Sequence, residues 1–334
     1  MSVCYFTHPI FSLIHPKSRR SFVNLALHKR TNLMNSFTPF QIGPFTCTPI
    51  EGGDIWLDGG AMFGVVPYTM WSKAIEHDDR LRIPMTMRCL LIESSETGHR
   101  YLIDNGIGTK YDAKRCDIYG IPFGEDPLMD SLAQAGVDPA DITHMVFSHL
   151  HFDHCGGTTA WNADQTSLEH RFRNATFVVN ERHWVEANNP NARETASFLR
   201  DNIAPIGDSG RLLTVPDGHE FEPGFDVIVI DGHTIGQQLP RLTNGTHTMV
   251  YAADLFPTVH HVPVPWVMGY DMRPTVTLQE KARLCAESVQ HDWIWFMEHD
   301  AHHTFMILDK DERDRYKGMP LAASELPFHG GNND

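Results

Sequence analysis

Four side chains able to bind a metal crowd into six residues of the segment Ser148-His149-Leu150-His151-Phe152-Asp153-His154-Cys155-Gly156-Gly157. The segment follows the apolar run His144 to Ser148, which reads as a short strand, so its side chains leave a sheet edge in a fixed order. In extended backbone His149 and His151, two apart, point to the same side and suit adjacent positions on one cation. Asp153 and His154 come after the chain has begun to turn and address a second point nearby, while Gly156-Gly157 allows a tight turn where a Cβ would interfere. Holding these groups together costs desolvation unless a cation compensates it. HxHxDH at a strand end therefore reads as a metal site rather than a polar loop. Three later residues fit the same site: His233 after the apolar run 225–230, Asp254 after Met249 to Ala253, and His299 after Trp295 to Glu298. Each stands where a strand hands over to a loop, the usual gathering place of functional groups in α/β folds. An Asp there is also a common turn former, so the reading as ligands rests on the company of the HxHxDH cluster.

The elements that must position them alternate without a strict βαβ period. Thr86 to Glu93 and Arg100 to Asp104 read as antiparallel strands joined by a turn at 96–99. Asp126 to Ala135 reads as a helix with Pro127 near its start and Gly136 past its end. Strands are expected at 144–148, 176–179, 225–230, 248–252 and 294–297, and helices at 181–188 and 278–288. Several strands pair through short turns, which suits layered α/β with mixed sheets better than a doubly wound parallel sheet. No GxGxxG or GxxxxGK[ST] follows a strand, so nucleotide binding has no support. Leu57 to Val65 reads as apolar core or as a lid beside the metals.

The chain has 334 residues, is 41% hydrophobic and carries a net charge of −15, enough for a substantial core and wrong in sign for a general nucleic-acid binder. Residues 1–35 hold five basic residues and no acid, leaving 22 basic against 42 acidic residues in the remainder. That acid-free leader is read as an N-terminal extension, either a tail before a mis-assigned start with Met34 as first residue or an organelle signal, and 36–334 as a single domain. A cytoplasmic location is expected. No apolar run approaches ~20 residues, so no transmembrane helix is expected. Six cysteines without a CxxC pair read as reduced, packed thiols.

HxHxDH followed by a distant His, then Asp, then His resembles the metallo-β-lactamase superfamily over most of residues 40–305. The resemblance implies a fold of class α/β, an αβ/βα four-layer sandwich of two mixed β-sheets flanked by helices. It implies that His149, His151 and His233 hold one metal, that Asp153, His154 and His299 hold a second, and that Asp254 bridges the two with a water or hydroxide. Two Zn(II) are expected, and nitrogen and oxygen ligands also suit Mn, Fe or Co. Two such cations against two carboxylates leave a positive centre, which lowers the pKa of bound water from ~15.7 towards ~7 and stabilises an oxyanion. The expected chemistry is hydrolysis, with Asp153 placed to carry the proton to the leaving group.

Oxygen-reducing members of the superfamily typically have Glu where this chain has His151, which argues against a redox role. The spacings from His233 to Asp254 and from Asp254 to His299 resemble the N-acyl homoserine lactonase branch. Well-known quorum-quenching lactonases carry a Tyr three residues after the bridging Asp, and here Pro257 stands there. Tyr270, His260 or His261 could take its place, and Tyr270 is the choice for polarising the substrate carbonyl. The expectation is a dinuclear hydrolase that opens a lactone or similar neutral ester, acyl homoserine lactones included. A methyl parathion hydrolase-like phosphotriesterase is the alternative, and a non-catalytic metal-binding protein a third reading. The expected partners are a small ester or lactone and, as an open option, a second copy in a homodimer, with neither nucleic acid nor membrane.

Overall fold

β-branched and aromatic runs build two seven-stranded sheets in the computed structural model, which describes residues 38–328. The expectation for residues 1–35 lies outside the described residues. In chain order the strands are β1 (Phe40–Ile42), β2 (Phe45–Asp58), β3 (Arg82–Ser94), β4 (Arg100–Ile103), β5 (His144–Val146), β6 (Thr159–Trp161), β7 (Leu168–His170), β8 (Thr176–Asn180) and β9 (Leu212–Val215). There follow β10 (Glu220–Glu222), β11 (Phe225–Ile230), β12 (Gln237–Thr243), β13 (Thr248–Tyr251), β14 (Ile294–Phe296), β15 (Phe305–Lys310) and β16 (Tyr316–Leu321). The first sheet has the order β1-β2-β3-β4-β5-β8-β9, the second runs β10 to β16 in sequence, and β6-β7 is a separate hairpin.

Both sheets are mixed, as expected. In the first, β4, β5, β8 and β9 are parallel neighbours; in the second, β13 and β14 are parallel and the rest antiparallel. Strands of the first sheet are buried on both faces, and their residues alternate between two cores with the period of two that a pleat dictates. Tyr101, Ile103, Val146 and Val178 face the second sheet, where Phe225, Leu242, Met249 and Tyr251 lie on the facing side. Leu102, Met145, Phe147, Phe177 and Val179 face outward. They are covered there by Leu128 and Leu132 of one helix (Pro127–Gln134) and Ile203 and Ile206 of another (Arg200–Asp208). A third cluster gathers Met62, Phe63 and Trp71 against Met85 and Met87 of β3.

Most observed elements end within two residues of those expected, and two are markedly longer. The strand expected at 86–93 occupies Arg82–Ser94 because β2 pairs with it back to Asp58↔Arg82, across a register shift between Glu51 and Asp54. The helix expected at 278–288 occupies Pro274–Gln290, with Pro274 in its first turn, where a missing N–H costs nothing.

Glu222 of β10 ties the sheets together. It accepts from Ser94 Oγ (2.6 Å), Thr97 Oγ1 (2.6 Å) and Tyr101 Oη (2.7 Å) of the first sheet. Burial opposes its charge, but those three hydroxyls hold the carboxyl below its usual range. Its stabilising effect is full above the unfolded pKa of ~4.3 and is lost as pH falls through the depressed folded value. Glu222→Ala is expected to lower the unfolding free energy by about 2–3 kcal/mol at pH 7 in urea denaturation. The gap between variant and parent should narrow below about pH 4; a constant gap would exclude the carboxylate as its source.

Candidate metal centre

Strand direction explains why distant residues meet. β4, β5 and β8 run parallel, and β11, β13 and β14 share a direction through antiparallel β12, so all six end at the same rim of their sheets. The loops after β5, β11, β13 and β14 carry the HxHxDH segment, His233, Asp254 and His299. All seven side chains are buried, with at most 8% of any residue exposed. They form two adjoining groups, His149 with His151, His233 and Asp254, and Asp153 with His154 and His299, the donor atoms of each lying within 4.8 Å of one another. Asp254 stands between them: Oδ2 is 2.9 Å from His233 Nε2 and 3.5 Å from His154 Nε2, and Oδ1 is 3.0 Å from His299 Nε2.

The backbone is shaped for this meeting. A Cβ on Gly156 would lie 2.2 Å from Ile107 O, and one on Gly157 2.2 Å from Asn105 O, so the turn after the motif closes only with glycine. Asp104 (φ 54°) and Ala253 (φ 41°) adopt left-handed backbone beside the site, a conformation with a conformational cost that the surrounding packing must sustain. His183, unassigned in the sequence reading, binds two ligand loops together: its Nε2 accepts from Leu150 N (2.8 Å) and its Nδ1 donates to Ile235 O (2.8 Å).

Hydrogen bonds behind the rings decide which nitrogen carries the proton. His299 Nδ1 donates to Thr86 O (2.8 Å), since a carbonyl only accepts. Ser148 Oγ donates to Asp104 Oδ2 (2.6 Å), so it accepts from His149 Nδ1 (3.0 Å). His154 Nδ1 faces Asp104 Oδ2 (3.0 Å) and Glu298 Oε1 (3.1 Å), and His233 Nδ1 faces Asp271 Oδ1 (3.1 Å). With the proton on Nδ1, the Nε2 lone pairs of these four rings point into the site. His151 turns the other way and brings Nδ1 to 2.9 Å from His149 Nε2 and 3.2 Å from His233 Nε2. Nitrogen lone pairs facing each other at such distances repel unless a cation sits among them, so the donor set fits a divalent metal.

The electrostatics divide the rings. Burial opposes the charge of His154, His233 and His299, but the carboxylates beside them lift His154 well above the usual histidine range, His233 to about 10 and His299 to about 9, so a cation must displace a proton from each. Burial and the neighbouring imidazoles push His149 and His151 well below the usual histidine range, keeping them in the neutral, ligating form. Burial opposes ionisation of Asp254, but His233, His299 and His154 hold it well below the carboxylate range. Burial, aided by Asp104, lifts Glu298 to about 7.

Beside these groups opens a cavity of about 180 Å³. One wall is apolar, with Leu57, Met62, Met85, Phe152, Met268 and Met272; another carries Tyr119, Arg193, Glu194, Ser197 and Tyr270. The Leu57–Val65 segment thus serves both readings, since Phe63 is core while Leu57 and Met62 reach the cavity. Tyr270 lines the same cavity as Asp153, His233 and Asp254. His261 instead packs on Phe63 and donates Nε2–H to Met62 O (2.9 Å), and neither it nor His260 lines the cavity. Pro257 is buried away from the cavity lining, and Cys155 is a packed thiol. The sequence reading assigned no role to Asp104, Asp271 or Glu298. Their only local signal was position, Asp104 and Glu298 being acidic residues at strand ends.

Residues 88–294 match the family model described as the metallo-beta-lactamase superfamily. The chain belongs to the metallo-beta-lactamase superfamily. An N-acyl homoserine lactonase AttM of Agrobacterium fabrum is 26% identical over 192 residues, 55% of this chain and 68% of that protein. A solved probable metal-dependent hydrolase from Staphylococcus aureus superposes with a TM-score of 0.75 at 28% identity, covering 84% of this chain and 98% of that one. A dizinc quorum-quenching lactonase, AidC, solved with N-hexanoyl-homoserine product, shares the fold with a TM-score of 0.69 at 19% identity, covering 86% and 97%. Family, fold and buried donor set together make this metallo-beta-lactamase-fold protein a metal-dependent hydrolase. No helix among the described residues is long and apolar enough to cross a membrane.

Proposed function

We propose that this chain opens a lactone or similar neutral ester with two divalent cations, zinc foremost, and that acyl homoserine lactones are among its substrates. The observation that carries the reading is the convergence of two adjoining donor groups around Asp254, at the end of a mostly apolar cavity. His149, His151 and His233 would hold one cation, Asp153, His154 and His299 the other, with Asp254 shared between them. When bound, such cations lower the pKa of water and polarise a carbonyl oxygen. The chain supplies the rest. The cavity slightly exceeds the ~150 Å³ apolar cavity that holds a benzene ring, so it takes one ring-sized reacting group while a longer chain extends through the mouth. The methionine side chains of its wall adapt to apolar chains of different shape. Tyr270 donates its hydroxyl to the acyl oxygen as negative charge develops there; burial and nearby carboxylates push it up to about 12, so it stays protonated at neutral pH. Water adds to the acyl carbon, the ring C–O bond breaks, and Asp153 passes the water's proton to the departing alkoxide, yielding a hydroxy acid.

The test combines elemental analysis of the purified protein with acid release from a lactone panel and colour release from an aryl phosphotriester. Two metal equivalents and lactone opening that chelation abolishes are expected. Turnover of the phosphotriester alone would replace this reading with the phosphorus one, and metal bound without turnover of either would leave a binding protein.

A further inference from the structure

We propose that Lys281 is a positioning residue: its ammonium anchors the loop 261–271 that presents Met268 and Tyr270 to the cavity. The inference rests on the reading above in one respect, that the cavity is where substrate binds. Lys281 lies on the helix Pro274–Gln290, on the side packed against this loop, and is 1% exposed. Its Nζ lies within hydrogen-bond distance of three backbone carbonyls, those of His261, Pro263 (3.1 Å) and Trp266 (2.7 Å), an acceptor for each proton of an ammonium, while burial pulls the group down to about 7. Apart from the short helical turn Val259–His261 the segment lacks regular structure. Carbonyls in such a segment need donors; Pro263 O also accepts from Trp266 N (2.8 Å), and the lysine joins it to those of His261 and Trp266 at a single point. The ring of Phe256 lies 5.7 Å from the ammonium on the same side.

The far end of the loop is tied to the metal centre. Asp271 Oδ2 accepts from Met268 N (3.1 Å) while Oδ1 faces His233 Nδ1 (3.1 Å), and Met272 N donates to His233 O (3.1 Å). Gly269 N donates to Ala61 O (2.7 Å), which joins the loop to the Met62 side of the cavity. Lys281 at one end and His233 at the other therefore hold taut the stretch that carries Met268 and Tyr270. Without the ammonium, the carbonyls of 261 and 266 must open to water, and the stretch loses its first fixed point.

Lys281→Met keeps the length and apolar stem of the side chain and removes the donors. In the full-length, metal-loaded protein, amide hydrogen exchange of 262–270 is expected to rise ~10-fold while the strands keep their protection. For a lactone that the parent opens, kcat should fall ~10-fold as the Tyr270 hydroxyl loses its fixed position, with a smaller rise in KM as Met268 moves, and metal content should stay the same. Unchanged exchange in 262–270, or an increase spread evenly over the chain, would overturn the proposal. Should the variant fail to fold, lysine-labelled NMR of the parent at about pH 5.5, below the lowered pKa of Lys281, decides: one ammonium signal with slowly exchanging protons supports the anchor, and its absence overturns it. Exchange and NMR need no substrate, so a protein that opens no lactone would refute the proposed activity and leave the anchor testable.

Discussion

Asp254→Ala is expected to release both metal equivalents and to lower kcat/KM by at least ~10³-fold, about 4 kcal/mol of transition-state stabilisation. Asp254 is the one side chain that both donor groups share, with oxygens 2.9 and 3.0 Å from His233 and His299 and 3.4 and 3.5 Å from His149 and His154. In the proposed two-cation arrangement its removal would take an anionic ligand from each cation and leave five imidazoles converging with one carboxylate fewer to offset the charge. Weakened retention of two cations under such repulsion is the direct consequence. Elemental analysis after gel filtration, alongside ester turnover, reads both effects. A variant that retains both equivalents and most of its turnover would remove Asp254 from the centre and the shared-ligand arrangement with it.

Tyr270→Phe is expected to reduce kcat ~10²-fold, the usual cost of one oxyanion donor, while KM and metal content change little. The cavity wall holds two tyrosines, and their surroundings separate them. The ring of Tyr119 packs on Phe152 (5.1 Å) and Tyr111 (5.9 Å). Tyr270 is partly exposed to the cavity, with Asp58, Asp153 and Asp254 close enough to keep its proton in place. Both rings line the cavity, and burial and Asp153 raise the pKa of both hydroxyls, so Tyr119→Phe is the control: with Tyr270 the donor, it should stay within ~3-fold of the parent. Equal kcat in the Tyr270 variant and the parent would pass the carbonyl-polarising role to the cations alone.

Seven of the sixteen described strands were legible, those that carry strong local signals. The run from His144 to Val146 and those at 225–230 and 248–251 are β-branched, apolar and bounded by polar residues, and each is a strand. The long strand Phe45–Asp58 was not assigned. Pro49, Gly52 and Gly53 interrupt its pattern, and pairing with β3 overrides that local preference by closing around the register shift at 51–54. The cavity wall was less legible still. Arg193, Glu194 and Ser197 come from the segment between two helices, and no periodicity marks them as neighbours of Asp153.

The types and order of the donor side chains were determined by the sequence alone, because HxHxDH compresses four of them into six positions and strand ends display the other three. Family membership and hydrolytic metal chemistry followed from that pattern. Only the tertiary structure decided which nitrogen of each ring faces inward, because the proton is placed by partners far off in the chain: Asp104 is 50 residues from His154, and Asp271 is 38 from His233. It alone also brought Tyr270, rather than His260 or His261, to the cavity. Lys281 and Asp271 hold that loop at its two ends, and contacts between a helix, a loop and a ring leave no spacing for a sequence to show.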